Sequence, residues 1–172
     1  MTKNEARVYA LKSRKNKDKH KLEEALVDKI IQSNVLVNYK HIGIYYPIGD
    51  EMSLLKLLST YQDKSFYLPI TREEISFIKY NLNDRLYDGQ FKTKEPKGII
   101  ESRNTIECFI IPCVAVSLDN KRVGYGKGYY DRYLKGYKGL KIGIVYNDSI
   151  CDIDMDDFDL SLDLVFGVWL LW

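Results

Sequence analysis

The chain has few cysteines, no long apolar run and no internal repeat, and each absence narrows the class of protein. Its three cysteines, Cys108, Cys113 and Cys151, are odd in number and lack C-x-x-C spacing, which argues against a disulfide framework and a zinc site. No apolar run approaches the ~20 residues that a membrane helix needs, and the N-terminus is charged where a signal peptide has its apolar core. We therefore expect a cytoplasmic protein with no membrane partner.

Histidine is also scarce, and the formal charge is nearly balanced. The two histidines, His20 and His41, have no obvious carboxylate or serine partner in sequence, so a serine or cysteine hydrolase gains little support. The net charge is only +2, yet lysine and arginine concentrate between residues 3 and 21 and aspartate between residues 152 and 163. This asymmetry can indicate an anionic partner, although solvated surfaces explain most such charges equally well.

The spacing of apolar residues predicts helices that alternate with strands. We predict helices over residues 4–15, from about residue 22 to Ser33-Asn34, and after Ser53 as an N-cap. Strands are predicted at residues 42–46, 66–68, 75–80, 108–111, 141–146 and 164–171, and residues 81–103 are predicted to be a long irregular loop. This order predicts a single α/β domain over residues 1–172, with a mostly parallel or mixed sheet flanked by helices, Rossmann-like but without a dinucleotide fingerprint.

The segment RVGYGKGYYDR at residues 122–132 is the most informative about chemistry. Its alternate glycines let backbone N–H groups converge on an anion without an intervening Cβ, and Arg122 and Lys127 add positive charge. A helix starting after the glycines would direct its N-terminal amides at the same anion. The spacing matches neither a dinucleotide fingerprint nor a P-loop. A flexible connection is the alternative, but clustered cations in a tight turn favour a phosphate-binding loop.

Together with the strand-like FIIPCVAV of residues 109–116, this segment resembles the signature of the 5-formyltetrahydrofolate cyclo-ligase family, also called methenyltetrahydrofolate synthetases. Further matches are K-x-x-x-R at Lys3 and Arg7, IYYPIGDEMSL around Glu51, E-P at residues 95–96 and LSLDLVFG around Asp163. The resemblance covers nearly the whole chain. Residues 116–117 are Val-Ser where many members have Ala-Phe or Gly-Phe, and a tryptophan common before the E-P is missing, so contacts to the folate's p-aminobenzoyl-glutamate part stay unassigned.

The resemblance implies an enzyme that uses ATP and Mg²⁺ to cyclise 5-formyltetrahydrofolate, with or without a polyglutamate tail, to 5,10-methenyltetrahydrofolate. The formyl oxygen takes the γ-phosphoryl group, N10 closes onto the activated carbon, and phosphate leaves. Because phosphoryl transfer leaves little covalent work for the protein, we expect catalysis by positioning and charge neutralisation. We further expect a monomer that binds no nucleic acid.

The resemblance and the residue chemistry together assign candidate roles. Lys127 and Arg122 are the expected catalytic residues, because they would neutralise charge on the transferring phosphoryl group. The expected nucleotide-binding residues are Lys3, Arg7, Arg122, Val123, Gly124, Tyr125, Gly126, Lys127, Gly128, Tyr129 and Tyr130. The expected folate-binding residues are Tyr46, Glu51 and Tyr125, and the expected Mg²⁺ ligands are Asp131 and Asp163.

Two other classes of protein stay open on the sequence. A nucleic-acid-binding protein could use the basic N-terminal segment and exposed tyrosines from the total of 14, although the acidic run near the C-terminus counts against it. A non-catalytic nucleotide-sensing module could bind ATP through the same glycine-rich loop without folate chemistry.

Overall fold

A computed structural model describes residues 1–15 and 17–169. Its α-helices are α1 (Lys3–Ser13), α2 (Lys19–Gln32), α3 (Lys56–Thr60) and α4 (Tyr129–Tyr133), with single 3₁₀ turns at Gln90–Lys92 and Asn147–Ser149. Its strands are β1 (His41–Gly43), β2 (Ser65–Thr71), β3 (Ile75–Tyr80), β4 (Tyr87–Asp88), β5 (Lys94–Glu95), β6 (Ile100–Glu101), β7 (Cys108–Pro112), β8 (Ala115–Ser117), β9 (Arg122–Val123), β10 (Leu140–Tyr146), β11 (Ile150–Cys151) and β12 (Leu164–Val168). None of the helices in these ranges is long and apolar enough to cross a membrane.

The main sheet is mixed, as the sequence predicted. It has seven strands in the order β12-β10-β7-β1-β2-β3-β6. The pairs from β12 to β2 are parallel, whereas β3 runs antiparallel to β2 and to β6. The carboxyl ends of β1, β2, β7 and β10 therefore meet at one edge of the sheet, where ligands of α/β proteins usually bind.

Apolar side chains cover both faces of this sheet. On one face, Leu26 and Ile30 of α2 join Ile42 and Leu57 in a fully buried cluster. On the other face, Phe109 of β7 packs with aromatic side chains that include Phe77 and Tyr137. Burial of each such side chain stabilises the fold by about 1.5–3 kcal/mol. The sheet is thus a firm support for the loops at its carboxyl edge.

The N-terminal helix is anchored separately from the other helices. A capping box begins α1, in which the Thr2 side chain accepts from the backbone N–H of Glu5 and the Glu5 carboxylate accepts from that of Thr2. Ala6 and Ala10 then pack against Val123 and other small apolar residues beside the short β8–β9 ribbon. This packing places one face of α1 against the glycine-rich segment.

Several predicted boundaries differ from the structure. Strand β1 ends at Gly43 and not at residue 46, although the backbone N–H of Ile44 still donates to the carbonyl oxygen of Tyr67 at 2.8 Å. Helix α3 starts at Lys56, and Leu55 precedes it in place of the predicted N-cap Ser53. The predicted last strand stops at Val168, and residues 170–171 of that prediction lie outside the described residues.

The predicted irregular loop is held by one buried side chain. Glu95 accepts a hydrogen bond from the backbone N–H of Thr71 at 3.0 Å and from Nη1 of Arg72 at 2.8 Å. Strands β4 and β5 form a small ribbon beside it. Side-chain hydrogen bonds of this kind produce no periodic spacing of apolar residues, so the sequence predicted only a loop here.

Candidate active site

A cavity of about 520 Å³ opens at the carboxyl edge of the main sheet. Its walls come from α1, the loop after β1, the ends of β2 and β7, the loop before β5, the glycine-rich loop with the start of α4, and residues 158–159. Residues predicted as site residues that line it are Lys3, Arg7, Tyr46, Glu51, Arg122, Val123, Gly124, Tyr125, Gly126, Lys127, Gly128, Tyr129, Tyr130 and Asp131. Residues far apart in sequence therefore share one cleft.

Two of the glycines allow a backbone that other residues rarely adopt. Gly126 has a φ of 100° and Gly128 a φ of 72°, both in the left-handed region. Helix α4 begins directly after Gly128. Residues 125–127 are exposed to the cavity and to solvent. The loop thus has the bend and the accessible backbone expected of an anion cradle.

Gly124 makes room for a neighbouring side chain, a role that the sequence did not predict. A Cβ at this position would lie 2.4 Å from Nη1 of Arg122, so the missing side chain leaves room for the guanidinium group. Arg122 is only 6% exposed, donates from Nε to the carbonyl oxygen of Pro112 at 2.9 Å, and lies 4.7 Å from the ring centroid of Tyr130. This charge is therefore fixed in place at the floor of the cleft.

Helix α1 contacts the glycine-rich loop through Arg7, one of the predicted pair of cations. Arg7 donates from Nε to the carbonyl oxygen of Gly124 at 2.7 Å and so braces the loop. The Lys3 ammonium lies 2.6 Å from Asp156 and 2.9 Å from Asp159, and hydrogen bonds to these carboxylates raise its pKa. In this structure Lys3 is thus engaged by the acidic segment, while Arg7 is bound to the loop itself.

Lys127 lines the cleft beside Phe91. Its side chain is exposed, its ammonium lies 5.8 Å from the ring centroid of Phe91, and its carbonyl oxygen accepts from Nη1 of Arg132 at 2.9 Å. The rings of Phe91 and Tyr129 are 6.4 Å apart. Phe91 is an unpredicted member of the site, and its φ of 55° is unusual for a phenylalanine. No pattern in residues 81–103 could have indicated it.

Val123 and Tyr130 contribute to the site mainly as support. The Val123 side chain is buried with Ala6 and Ala10, so α1 packs on the strand that enters the loop. The Tyr130 ring is buried beneath Arg122, and this burial raises its pKa well above the ordinary value. Both residues therefore fix the cradle from behind.

Glu51 forms the other half of the cleft on a tightly held loop. It is 5% exposed, and its Oε2 accepts from the backbone N–H of Ile48 at 2.9 Å. The residues on either side are also held, because Tyr146 donates its hydroxyl to the carbonyl oxygen of Asp50 at 2.8 Å and Tyr45 donates to that of Met52 at 2.5 Å. The Glu51 carboxylate therefore has a fixed position.

Burial sets the acidity of this carboxyl group. Desolvation raises the pKa of Glu51, while the N–H of Ile48, the positive charge of Arg14 and the hydroxyl of Tyr125 act in the opposite direction. The group combines a raised pKa with a position in a cleft, which is a combination common at functional sites.

Comparison with known proteins agrees with this geometry. The model of the 5-formyltetrahydrofolate cyclo-ligase family matches residues 3–167. The chain belongs to this family. The 5-formyltetrahydrofolate cyclo-ligase of Mycoplasma pneumoniae is 36% identical over 74% of this chain and 73% of its own length, and that of Mycoplasma genitalium is 34% identical over 66% and 77%.

A solved family structure has the same fold. The 5,10-methenyltetrahydrofolate synthetase of Aquifex aeolicus has a TM-score of 0.81 and 30% identity, with 97% of this chain and 90% of that chain covered. The resemblance seen in the glycine-rich segment is therefore confirmed at the level of the family and of the fold.

The two carboxylates expected to bind Mg²⁺ do not come together in this member of the family. Asp131 lines the cavity, and its Oδ1 accepts from the backbone N–H of Leu160 at 2.9 Å. Asp163 is absent from the cavity lining, because it accepts from the backbone N–H of Lys141 at 2.8 Å and pairs with the Lys141 ammonium at 3.3 Å. It precedes β12 and so lies towards the amino end of the parallel strands. Asp159, in contrast, does line the cleft.

Arg14 is the most informative residue that sequence reasoning missed. It follows the last residue of α1, is 3% exposed, and donates from Nη2 to the Tyr125 hydroxyl at 2.7 Å. The sequence pattern placed its charge in the solvated basic segment. The sequence did indicate that Arg14 belongs with Arg7, because it follows Arg7 by two helical turns and thus lies on the same helical face.

Proposed function

We propose that this chain catalyses the ATP-dependent cyclisation of 5-formyltetrahydrofolate to 5,10-methenyltetrahydrofolate, with release of ADP and phosphate. The relatives named 5-formyltetrahydrofolate cyclo-ligase support the reaction. The observation that carries the proposal is the single cavity in which a cation-bearing glycine loop faces a buried carboxylate. This arrangement offers a phosphate site and a site for a hydrogen-bonding ring system side by side.

The phosphate side of the cleft fits a nucleoside triphosphate by shape and by charge. The left-handed glycines Gly126 and Gly128 leave the backbone open to the cleft, and Arg122, Lys127 and Arg7 surround it. When bound, ATP supplies the phosphoryl group that turns the formyl oxygen into a leaving group, after which N10 closes onto the carbon and phosphate departs. Arg122 and Lys127 would neutralise charge that develops on the phosphoryl oxygens.

The folate side fits a flat ring with several N–H donors. Glu51 is held as a buried acceptor, and Tyr46 lines the same wall. Tyr125 connects the two sides, since it belongs to the glycine-rich loop and its hydroxyl interacts with the Glu51 carboxylate. These residues would hold the reacting formyl group near the phosphate side, and such orientation accounts for much of the rate in reactions without a protein nucleophile.

Mg²⁺ is part of the same proposal, with Asp131 as its protein ligand. Among the described residues no group of three or more His, Cys, Asp or Glu side chains could hold a metal, so a preformed cage is absent there. Mg²⁺ commonly uses one or two carboxylates and takes its other ligands from water and phosphate, which one carboxylate at the cleft satisfies. When bound, the ion would neutralise phosphate charge. We also propose a cytoplasmic monomer without a nucleic-acid partner.

One assay tests the substrate, the nucleotide and the reaction together. The pure protein is incubated with MgATP and 5-formyltetrahydrofolate, and absorbance of the methenyl product is followed beside phosphate release. We expect both signals to appear only when both substrates are present. Phosphate release that is independent of the folate, or ATP binding with no methenyl product, would contradict the proposal and favour the nucleotide-sensing alternative.

A further inference from the structure

Arg14 is a buried cation next to exposed ones. Its neighbours Lys12 and Lys15 in the basic segment are exposed, whereas Arg14 is 3% exposed. Removing a guanidinium group from water costs several kcal/mol unless the surroundings compensate. The position of Arg14 against the cleft therefore needs a compensating interaction, which a solvated helix face does not.

Arg14 contacts one loop of the cleft and interacts electrostatically with the other. Its Nη2 donates to Tyr125 of the glycine-rich loop at 2.7 Å. Arg14 and Glu51 also line a small cavity that lies behind the main cleft. Within residues 1–15 and 17–169, Nε of Arg14 has no hydrogen-bond partner and its guanidinium group forms no direct salt bridge. Its charge is therefore left to act across the small cavity on the Glu51 carboxylate.

We propose that Arg14 is a positioning residue that fixes the Tyr125 hydroxyl and the Glu51 carboxylate relative to each other, and so couples the phosphate loop to the folate loop. The proposal rests on the proposed function for the identity of the substrate. It gives the C-terminal end of α1 a part in substrate orientation, in addition to the contact of Arg7 with the glycine-rich loop. Arg14 itself does not line the main cavity, so it acts through the two residues that do.

The electrostatics of Glu51 predict the direction in which its pKa should shift when Arg14 is replaced. The titratable or charged groups that interact with Glu51 from the surrounding elements are Arg14, Tyr45, Cys113, Arg122, Tyr125, Tyr130 and Tyr146. Burial raises the pKa of Glu51, and the Arg14 charge lowers it. Loss of Arg14 should therefore raise this pKa further, so the carboxylate would form only at a higher pH.

The test compares Arg14→Met with Arg14→Lys and with the surface control Lys15→Met. For each, kcat and KM for 5-formyltetrahydrofolate are measured at saturating MgATP over about pH 5–9, because kcat/KM reports ionisations of the free enzyme. We expect Arg14→Met to lower kcat/KM for the folate about 10- to 150-fold, as for loss of a charged hydrogen bond. The acid limb of the pH profile of kcat/KM for Arg14→Met should move to higher pH. Arg14→Lys should keep the limb near the wild-type position, and Lys15→Met should match the wild type.

The proposal would be overturned if Arg14→Met lost thermal stability but kept the wild-type folate KM and acid limb, since that pattern describes a structural residue. Should Arg14→Met fail to fold, Tyr125→Phe and Arg14→Gln, alone and combined, decide the question, because glutamine removes the charge but keeps a polar side chain. Shared action predicts that the combined loss in kcat/KM is smaller than the product of the single losses, and a fully multiplicative loss would exclude coupling. Absence of methenyl product with the wild type would instead refute the proposed function.

Discussion

Replacing Gly124 with alanine should damage the phosphate side of the cleft without straining the backbone. An added Cβ would lie 2.4 Å from Nη1 and 2.9 Å from Cζ of Arg122, well inside the ~3.5–4.0 Å at which nonbonded atoms rest. Gly124 is not in the left-handed region that Gly126 and Gly128 occupy. The guanidinium group of Arg122 must therefore move.

The size of the effect follows from what Arg122 loses. Its Nε bond to the carbonyl oxygen of Pro112, now 2.9 Å, fixes the charge at the floor of the cleft. A hydrogen bond that involves a charged group contributes about 1.5–3 kcal/mol, and a displaced Arg122 would lose a comparable interaction with phosphate. We expect kcat/KM for ATP to fall about 10- to 150-fold in Gly124→Ala.

The assay is initial rate of methenyl formation against ATP concentration at saturating folate, beside a thermal melt. Gly136→Ala is the matched control, because Gly136 has a φ of 74°, an added Cβ there would meet nothing within 4 Å, and the residue has no place in the cavity lining. This control should cost about 1–2 kcal/mol of stability from left-handed strain but leave ATP kinetics unchanged. A folded Gly124→Ala protein with wild-type ATP kinetics would refute the reasoning, because the position of Arg122 would then be irrelevant to the nucleotide.

Four further substitutions test the remaining assignments. Lys127→Ala should lower kcat about 10²- to 10³-fold, as for loss of one preorganised donor, and a variant with most of its kcat would exclude Lys127 from charge neutralisation. Glu51→Gln should reduce kcat/KM for the folate about 10- to 150-fold while ATP affinity stays within a few-fold, and equal damage to both titrations would refute the division of the cleft. Asp131→Asn should raise the Mg²⁺ concentration needed for activity, whereas Asp163→Asn should keep the wild-type Mg²⁺ dependence because Asp163 is paired with Lys141.

Much of the fold could be predicted because its strands have strong local signals. The strands at Ile75–Tyr80 and Leu140–Tyr146 agree with their predicted ranges within one residue, and their order with the helices was enough for a mixed α/β sheet. The loop over residues 81–103 was less predictable. Its β5 strand is joined to the end of β2 by the buried Glu95 carboxylate, a tertiary contact that leaves no periodic spacing of apolar residues in the sequence.

The candidate site was predictable where a segment's side-chain chemistry and its local backbone conformation indicate the same kind of ligand. The glycine-rich loop is such a case, since its φ values and its cations both follow from the residues in place. Asp163 illustrates the opposite case. A carboxylate suits a metal equally well anywhere in the sequence, and only the sheet register, which sets Asp163 beside Lys141, shows that the charge is already paired.

In helix α1 the sequence pattern predicts which cations share a face, and the tertiary packing decides where that face lies. The four-residue step from Lys3 to Arg7 and the seven-residue step from Arg7 to Arg14 put three cations on one helical face. Such a face looks like a solvated surface until Ala6 and Ala10 are seen to pack beside Val123. Because small residues bring the helix close to the glycine-rich loop, Lys3 and Arg7 line the cleft and Arg14 reaches Tyr125 of that loop, and each cation has a different partner. Net charge alone therefore does not show that this basic segment packs beside a cleft, and Ala6 and Ala10 between the cations are the sequence feature that reflects the packing.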